Sequence, residues 1–293
     1  MGKELAERYP IARQTFEEAD AALGISLSPL CFEGPDEELR RTEITQPSIL
    51  TVSVATLRVL AEQGVKPAWV AGHSLGEYSA HVAAGTLSFA DAVRTVRNRG
   101  RYMQGAVPAG VGAMAAILGM EAEKVRLICE ETAQGEVCET ANMNSPEQVV
   151  ISGHKAAVER AVVLATEQGA KKAVLLPVSA PFHCSLMRPA QERLAKDLNS
   201  LQMQNSETPV ICNVDAAFVE TAEASRDALI RQVTGTVRWD ECVRGLIAKG
   251  AETFVEVGPG KVLWGLMRQI DRSKTSWQTS DDAAFQKTLQ GLA

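Results

Sequence analysis

The spacing of apolar and polar positions predicts a chain in which helices alternate with short buried strands. An amphipathic helix begins almost at Met1, with no strand in front of it. From 47 to 63, apolar residues leave almost no polar face, which is typical of a helix that is buried on most sides. Ser88 and Asp91 have capping-box spacing, with Asp in the place of Glu or Gln, and begin a further helix that runs to about Gln104.

Short apolar segments bounded by turn residues predict the strands. Pro67 opens an extended segment at 68–71, and a turn flanked by glycine then leads into a helix from about Gly76. Segments 210–213 and 253–257 have the pattern of further buried strands between helices, as in a parallel α/β sheet. Together these elements predict an α/β fold whose larger part contains a parallel sheet.

The middle of the chain has a different order of elements. The pattern predicts a strand at 113–118, a helix at 121–133, strands at 137–142 and 148–152, a helix at 155–168 and a strand at 173–178. The order βαββαβ is that of a ferredoxin-like unit. We therefore expect an inserted small domain at 110–178, and a larger domain formed by 1–109 together with 179–293.

Composition and charge narrow the function classes. The chain has 293 residues, 30 basic and 36 acidic side chains and a net charge of −6, which argues against binding of nucleic acid through bulk positive charge. No stretch approaches the roughly 18 consecutive apolar residues of a membrane span, so we expect no membrane insertion. The first residues contain no apolar core of a signal peptide, so we expect a cytoplasmic protein. Six scattered cysteines without a C-x-x-C pair are expected to be reduced packing residues.

The turn that follows the 68–71 segment carries the first candidate chemistry. Its sequence, Gly72-His73-Ser74-Leu75-Gly76, fits the G-x-S-x-G pattern of a nucleophile elbow. In such an elbow, a tight strand-to-helix turn lifts the Ser74 hydroxyl above the carboxyl ends of the strands. The next helix directs its N-terminal amides at the reacting centre, and the Leu75 amide is a candidate oxyanion donor. A chance pentapeptide in a glycine-containing turn is the alternative.

A nucleophilic serine needs a base, and the chain has four histidines. His73 and His81 are close to Ser74 in sequence, and His154 begins a helix of the inserted unit. His183 follows the last strand of that unit, where the chain returns to the larger domain. A loop between domains is where a base that lines a site is expected. His183 is therefore the candidate base, with a structural histidine as the alternative.

Arg99 is the third informative residue. By helical spacing it lies on the apolar stripe of its helix, whereas Arg94, Arg97 and Arg101 project from the other side. A partly buried guanidinium requires a partner, and it matches a carboxylate with two parallel hydrogen bonds. That partner is either an Asp or Glu of the protein or the carboxylate of a substrate.

Two other patterns are weaker. Gly258-Pro259-Gly260-Lys261 lacks the length and the Ser or Thr of a phosphate-binding loop, so a strand-to-helix turn is expected. The histidines and cysteines have no metal-ligand spacing, and we expect no metal site.

The string 72–80, GHSLGEYSA, resembles the malonyl-CoA:acyl-carrier-protein transacylase family of fatty-acid synthesis. The resemblance covers nearly the whole chain and continues through Thr45-Gln46-Pro47, Gly112-Ala113-Met114-Ala115-Ala116, Asn144-Ser145-Pro146, Ala180-Pro181-Phe182-His183 and Glu256-Val257-Gly258-Pro259-Gly260. It implies a hydrolase-like α/β domain with a ferredoxin-like insertion, in agreement with the order of elements.

The same resemblance implies a role for each candidate residue. Ser74 is the nucleophile that accepts the acyl group, His183 is its base, and Arg99 binds the free carboxylate of the malonyl group. In place of a triad acid, the backbone carbonyl of Gln232 orients the histidine. The implied reaction is ping-pong and needs no cofactor: Ser74 takes malonyl from malonyl-CoA, and the phosphopantetheine thiol of acyl carrier protein takes it from the serine ester. Phe182 suits a malonyl rather than a bulkier branched group.

The chain departs from the family at its beginning. In the family a first strand precedes the helix that starts here, and it ends in a Gly-Gln-Gly-Ser-Gln loop whose first glutamine supplies an oxyanion-hole amide. This sequence has no such strand or loop. We therefore expect either an N-terminally truncated polypeptide or a family member with a repaired or impaired site.

Other functions stay open at this point. A serine thioesterase or hydrolase needs only the elbow serine and the histidine, whereas a non-catalytic carrier-binding module has no chemical need for Ser74, His183 and Arg99 together. A discrete acyltransferase of a polyketide assembly line has the same motifs. CoA and carrier protein are acidic, so local basic residues are candidates for a docking surface. These candidates are Lys171, Lys172, Arg188, Arg268 and Arg272. The alternative is that they are ordinary solvated surface charges. We expect a monomer.

Overall fold

The protein is described here by a computed structural model that covers residues 1–178 and 180–292. The helices of the described chain are α1 (Lys3–Arg8), α2 (Pro10–Leu23), α3 (Leu27–Glu33), α4 (Asp36–Leu39), α5 (Thr42–Glu62), α6 (Gly76–Ala83), α7 (Phe89–Gln104), α8 (Ala122–Ala133), α9 (Lys155–Glu167), α10 (Arg188–Ser200), α11 (Ala222–Gln232), α12 (Trp239–Ala248), α13 (Val262–Ile270) and α14 (Asp282–Leu292). The strands are β1 (Val70–Ala71), β2 (Gly112–Leu118), β3 (Cys138–Ser145), β4 (Gln148–His154), β5 (Lys172–Leu175), β6 (Val210–Ile211), β7 (Phe218–Val219), β8 (Thr253–Glu256) and β9 (Thr275–Gln278). The architecture is α/β, as the apolar pattern predicts.

Helix α5 runs through the core of the larger part of the chain. It begins at Thr42, five residues before the predicted start, and Pro47 lies inside it. Proline removes one hydrogen bond of the helix, and the burial of the surrounding turns offsets that loss. By length and composition α5 is the one described helix that could cross a membrane, but 72% of its most apolar window is buried among other elements. It therefore has the surroundings of a core helix.

The strands outside 110–178 form two small sheets, and they are not all parallel. β1 pairs with β6 in parallel, with Val70 opposite Val210, and β6 pairs with β7 antiparallel. β8 and β9 form a separate parallel pair. The expectation of a purely parallel sheet is thus corrected at β7. The six residues between β6 and β7 are too few for the crossover of a dozen or more residues that parallel pairing requires.

A largely apolar cavity of about 470 Å³ lies beside both small sheets. Both β1 and β8 line it, and α5 and α13 contribute apolar side chains such as Val54 and Met267. Within the described residues, β1 pairs only with β6, and β8 pairs only with β9. Each of these two strands therefore has one unpaired edge among the described residues.

Residues 112–175 form a four-stranded antiparallel sheet with two helices, in the chain order β2, α8, β3, β4, α9, β5. The strand order across the sheet is β3-β4-β2-β5. Helices α8 and α9 pack on one face through a buried apolar cluster that includes Ile117, Ile128 and Val149. The other face, with Met114 and Ala141, contacts Phe182 and so turns toward the larger part of the chain. The predicted order of elements is confirmed, although β3 extends three residues further than predicted.

The two parts are joined through backbone hydrogen bonds as well as side chains. The amide of Met143 donates to the carbonyl of Val237 at 2.9 Å, and the amide of Val237 donates to Ala141 at 2.9 Å. This contact brings the end of β3, with Asn144, close to the turn after β1. Ser179, at the predicted domain boundary, and Ala293 lie outside the described residues.

Candidate active site

The turn between β1 and α6 has the geometry of a nucleophile elbow. Ser74 has φ of 52°, in the left-handed region that non-glycine residues rarely adopt. Gly72 must be glycine, because a Cβ there would lie 1.9 Å from the carbonyl oxygen of Gly76. Asn213, which follows β6, closes the turn: its Oδ1 accepts from the Ser74 amide at 2.7 Å, and its Nδ2 donates to the Gly72 carbonyl at 2.8 Å. The backbone thus holds the Ser74 hydroxyl clear of the chain.

His183 and Ser74 meet although they are 109 positions apart. Ser74 Oγ lies 2.7 Å from His183 Nε2, and His183 Nδ1 lies 3.0 Å from the backbone carbonyl of Gln232. A carbonyl can only accept, so Nδ1 carries the proton and Nε2 is left to accept from the serine hydroxyl. Burial, and then the positive charge of Arg99, lower the pKa of His183 to about 3. The imidazole is therefore neutral at pH 7, the form that can take a proton from Ser74.

The guanidinium of Arg99 lies beside this pair and is only 1% exposed. It donates to Gln46 Oε1 at 3.0 Å, to Gln232 Oε1 at 2.9 Å and to Ser74 Oγ at 3.1 Å. Its hydrogen-bond partners are thus two amide oxygens and the serine hydroxyl, and no carboxylate of the described residues lies within ion-pair distance of it. The charge of the buried Glu77 carboxyl opposes the lowering of the Arg99 pKa by burial, so Glu77 interacts with Arg99 through its charge but without a direct ion pair. A buried guanidinium without a direct ion pair favours an anionic ligand.

Gln232, at the end of α11, contacts three members of the site. Its backbone carbonyl faces His183, its Oε1 accepts from Arg99, and its Nε2 donates to the Ser74 carbonyl at 2.9 Å. Gln46 and Asn213 were not singled out from the sequence. A signal for Gln46 existed, since it directly precedes the strongly apolar segment that starts at Pro47 and lies in the string Thr45-Gln46-Pro47.

The Leu75 amide, the oxyanion donor expected from the sequence, lies directly before α6. In residues 1–178 and 180–292 it donates to no backbone or side-chain acceptor, whereas the next amides, of Gly76 and Glu77, donate to His73 and Ser74 carbonyls. A free amide adjacent to the serine can donate a hydrogen bond to an oxygen that gains negative charge.

The other three histidines have different surroundings. His73 Nε2 lies 2.8 Å from Asn144 Oδ1, and burial lowers the His73 pKa. His81 is fully buried on α6, its ring has no hydrogen-bond partner among the described residues, and burial lowers its pKa to about 4. His154 precedes α9 and accepts from the Val137 amide at 2.9 Å. Of the four, His183 is the one in contact with Ser74.

The remaining sequence candidates have ordinary surroundings. The six cysteines are buried free thiols, and no three His, Cys, Asp or Glu side chains of the described chain converge as a metal site would require. Residues 258–261 form the turn between β8 and α13, as expected. Among the basic candidates, Lys171 pairs with Glu147 at 2.7 Å and Arg268 lies over the Trp264 ring, while Lys172, Arg188 and Arg272 are exposed.

Comparison with known proteins places this geometry in a family. The acyl transferase domain family matches residues 1–284. The chain is 49% identical over 288 residues to the malonyl CoA-acyl carrier protein transacylase of Escherichia coli K12, an alignment that covers 98% of this chain and 93% of that protein.

Solved structures agree with the sequence match. An acyl carrier protein S-malonyltransferase from Vibrio cholerae superposes with a TM-score of 0.95 and 49% identity, over 97% of this chain and 93% of that one. A second structure, described as a type II PKS acyl-carrier protein in complex with its malonyl-transacylase, superposes with a TM-score of 0.96 and 44% identity, over 99% and 94%. The chain therefore belongs to the acyl transferase family of the malonyl-CoA:acyl-carrier-protein transacylases.

Proposed function

We propose that the protein transfers a malonyl group from malonyl-CoA to the phosphopantetheine thiol of acyl carrier protein, in the cytoplasm and as a step of fatty-acid synthesis. The observation that carries the proposal is the position of Arg99. Its buried guanidinium has no direct ion-pair partner among the described residues and lies 3.1 Å from the hydroxyl of Ser74, which in turn contacts His183. A site with a nucleophile, a base and a guanidinium that no carboxylate contacts directly fits an acyl group that carries its own carboxylate.

In the first half-reaction, His183 Nε2 takes the proton of Ser74 as Oγ attacks the thioester carbonyl of malonyl-CoA. The tetrahedral oxyanion accepts from the Leu75 amide, and its collapse expels the CoA thiolate, which takes the proton from His183. Throughout, the Gln232 carbonyl accepts from Nδ1–H and keeps the imidazole in the tautomer that can act as a base. The malonyl group is then an ester on Ser74 Oγ.

In the second half-reaction, the same histidine takes the proton of the carrier thiol. The thiolate attacks the serine ester, and Ser74 leaves with the proton returned from His183. Nucleophile, base and hydrogen-bond donors suffice for both steps, so we propose that no metal or cofactor takes part. In both half-reactions the Arg99 guanidinium donates to the malonyl carboxylate, and these hydrogen bonds replace the one to the serine hydroxyl.

We also propose an arrangement of domains and sheets. Residues 110–178 are a ferredoxin-like inserted domain, and the two small sheets are parts of one hydrolase-like sheet. An extended strand in the cavity between β1 and β8 would pair with both unpaired edges. A strand parallel to β1 would end beside Ser74, because the carboxyl ends of parallel strands meet at one edge of a sheet. The loop after that strand would then supply a second oxyanion amide.

This architectural proposal is tested by adding the strand. We compare the 293-residue chain with a version that carries an apolar strand and a glycine-rich loop ahead of Met1. The added strand should raise the melting temperature, and the second oxyanion donor should raise turnover by about 10²- to 10³-fold. Equal melting temperatures and equal turnover would show that the cavity is not a strand site.

The reactive serine is tested by mass spectrometry of the intact protein after exposure to malonyl-CoA. The wild-type chain should gain one malonyl group, and Ser74→Ala should gain none. Ser200→Ala is the matched control, since Ser200 is an exposed serine far along the chain, and it should be labelled like the wild type. Stoichiometric labelling of Ser74→Ala would remove the nucleophile assignment.

A further inference from the structure

Glu77 is a fully buried carboxyl group that has no part in the reaction steps proposed above. It lies in the first turn of α6, three residues after Ser74. Burial raises its pKa to about 7, against the opposing effects of hydrogen bonds from Gln232 and Asn213 and of the charge of Arg99. A carboxyl group is costly to bury, so its two hydrogen-bond donors are informative about its role.

The first donor is the backbone of Asn213. The Asn213 amide donates to Glu77 Oε2 at 3.0 Å. The side chain of the same asparagine joins both ends of the elbow, because it accepts from the Ser74 amide and donates to the Gly72 carbonyl. The Glu77 carboxyl therefore anchors the residue that holds Ser74 in its left-handed conformation.

The second donor is the side chain of Gln232. Its Nε2 donates to Glu77 Oε2 at 2.8 Å and to the Ser74 carbonyl at 2.9 Å, while its Oε1 accepts from Arg99 at 2.9 Å. If the amide turned by 180°, its oxygen would face two acceptors and its NH₂ would face the guanidinium. Glu77, the Ser74 carbonyl and Arg99 thus all favour the same orientation of the Gln232 side chain. The backbone carbonyl of Gln232 is the acceptor for His183.

We propose that Glu77 is a positioning residue for acyl transfer: it anchors the Asn213 backbone and the Gln232 amide, and through them sets the relative position of Ser74 and His183. The inference rests on the proposed function for its assay. Of the two carboxyl oxygens of Glu77, only Oε2 accepts these hydrogen bonds, and Oε1 has no hydrogen-bond partner among the described residues. A glutamine at this position retains one acceptor oxygen for the same two donors, whereas a leucine of similar size retains none.

The test measures the single-turnover rate of Ser74 malonylation and the KM for malonyl-CoA. Glu77→Leu should lower the rate by about 10²-fold, the loss expected from a misplacement of about 1 Å, with KM within about threefold of wild type. Glu77→Gln should stay within about fivefold in rate. His81→Leu is the matched control, because His81 is equally buried on the same helix and its ring makes no hydrogen bond in the described chain. This variant should keep the wild-type rate.

The proposal is overturned if folded Glu77→Leu acylates at the wild-type rate, or if His81→Leu loses as much activity as Glu77→Leu. If Glu77→Leu does not fold, Glu77→Asp decides: its carboxyl, one methylene further from both donors, should lower the rate at unchanged KM, and a wild-type rate would reject the positioning role. The two proposals fail differently. Absence of any malonyl ester on the wild-type protein would reject the proposed function, whereas normal labelling of both chains at equal rates would reject the role of Glu77 alone.

Discussion

Removal of the Arg99 guanidinium should change the preference of the enzyme for malonyl over acetyl groups. The side chain is buried, and within the described residues it has amide oxygens and a hydroxyl as partners but no carboxylate. A malonyl carboxylate can accept two charge-assisted hydrogen bonds there, each worth about 1.5–3 kcal/mol. Desolvation of the carboxylate offsets part of this gain. Loss of both hydrogen bonds should therefore cost about 3 kcal/mol of transition-state binding for the malonyl substrate, or about 10²-fold in kcat/KM.

The measurement is the ratio of kcat/KM for malonyl-CoA to that for acetyl-CoA, in the wild type and in Arg99→Ala. The ratio is informative because loss of folded protein or of general activity lowers both values equally. Arg99→Ala should lower the ratio by about 10²-fold. Arg94→Ala is the matched control: Arg94 is exposed on the same helix and pairs with Asp91 at 2.7 Å. Equal losses for both substrates in Arg99→Ala would refute the carboxylate role.

Three further predictions concern the elbow and the buried histidines. Gly72→Ala should lower the free energy of unfolding by about 1–3 kcal/mol or more and abolish acylation, because the added Cβ would overlap the backbone of Gly76. Gly76→Ala is the control and should be tolerated, because the added Cβ would have open space around it. Equal behaviour of the two variants in thermal melts and malonyl labelling would contradict the elbow geometry. In ¹⁵N NMR at about pH 5, His183 should be neutral with its proton on Nδ1, since its pKa is about 3; a charged ring would be contrary evidence. Between pH 6.5 and about 4 the unfolded chain binds a proton at His81 that the folded chain does not, so the free energy of unfolding falls as pH falls. Urea titrations at about pH 7 and about pH 4.5 should show that His81→Leu removes about 2–3 kcal/mol of this acid destabilisation, and an unchanged pH dependence would show that His81 is not its source.

The types of elements were predictable because they depend on local patterns. The helix that contains Arg99 begins where the Ser88 hydroxyl accepts from the Asp91 amide, as the capping spacing predicts. The start of α5 was not predictable, because Pro47 suggests a boundary and only tertiary burial keeps the helix intact through it. Strands β7 and β9 were missed as well, since β7 has only two residues and β9 has three polar residues among its four rather than an apolar run.

The site was predictable only where one residue type has few alternatives. A chain with four histidines and one elbow serine restricts the choice of base, and His183 does contact Ser74. The supporting amides gave no comparable signal. Gln46 lies 53 positions from Arg99, and Asn213 lies 139 positions from Ser74, so each contact exists only in the folded chain. Glu77 directly follows the G-x-S-x-G motif, but the residues that donate to its carboxyl, Asn213 and Gln232, lie more than 130 positions away.

The fate of the malonyl group on Ser74 tests the central claim most directly. The malonylated protein is isolated free of malonyl-CoA, and holo acyl carrier protein or buffer alone is added while intact masses of both proteins are followed. A transferase should lose its malonyl group rapidly only with the carrier, and the carrier should gain it in equal amount on its phosphopantetheine thiol. Release of free malonate at the same rate in buffer alone, with no malonyl group on the carrier, would contradict transfer and would identify a hydrolase.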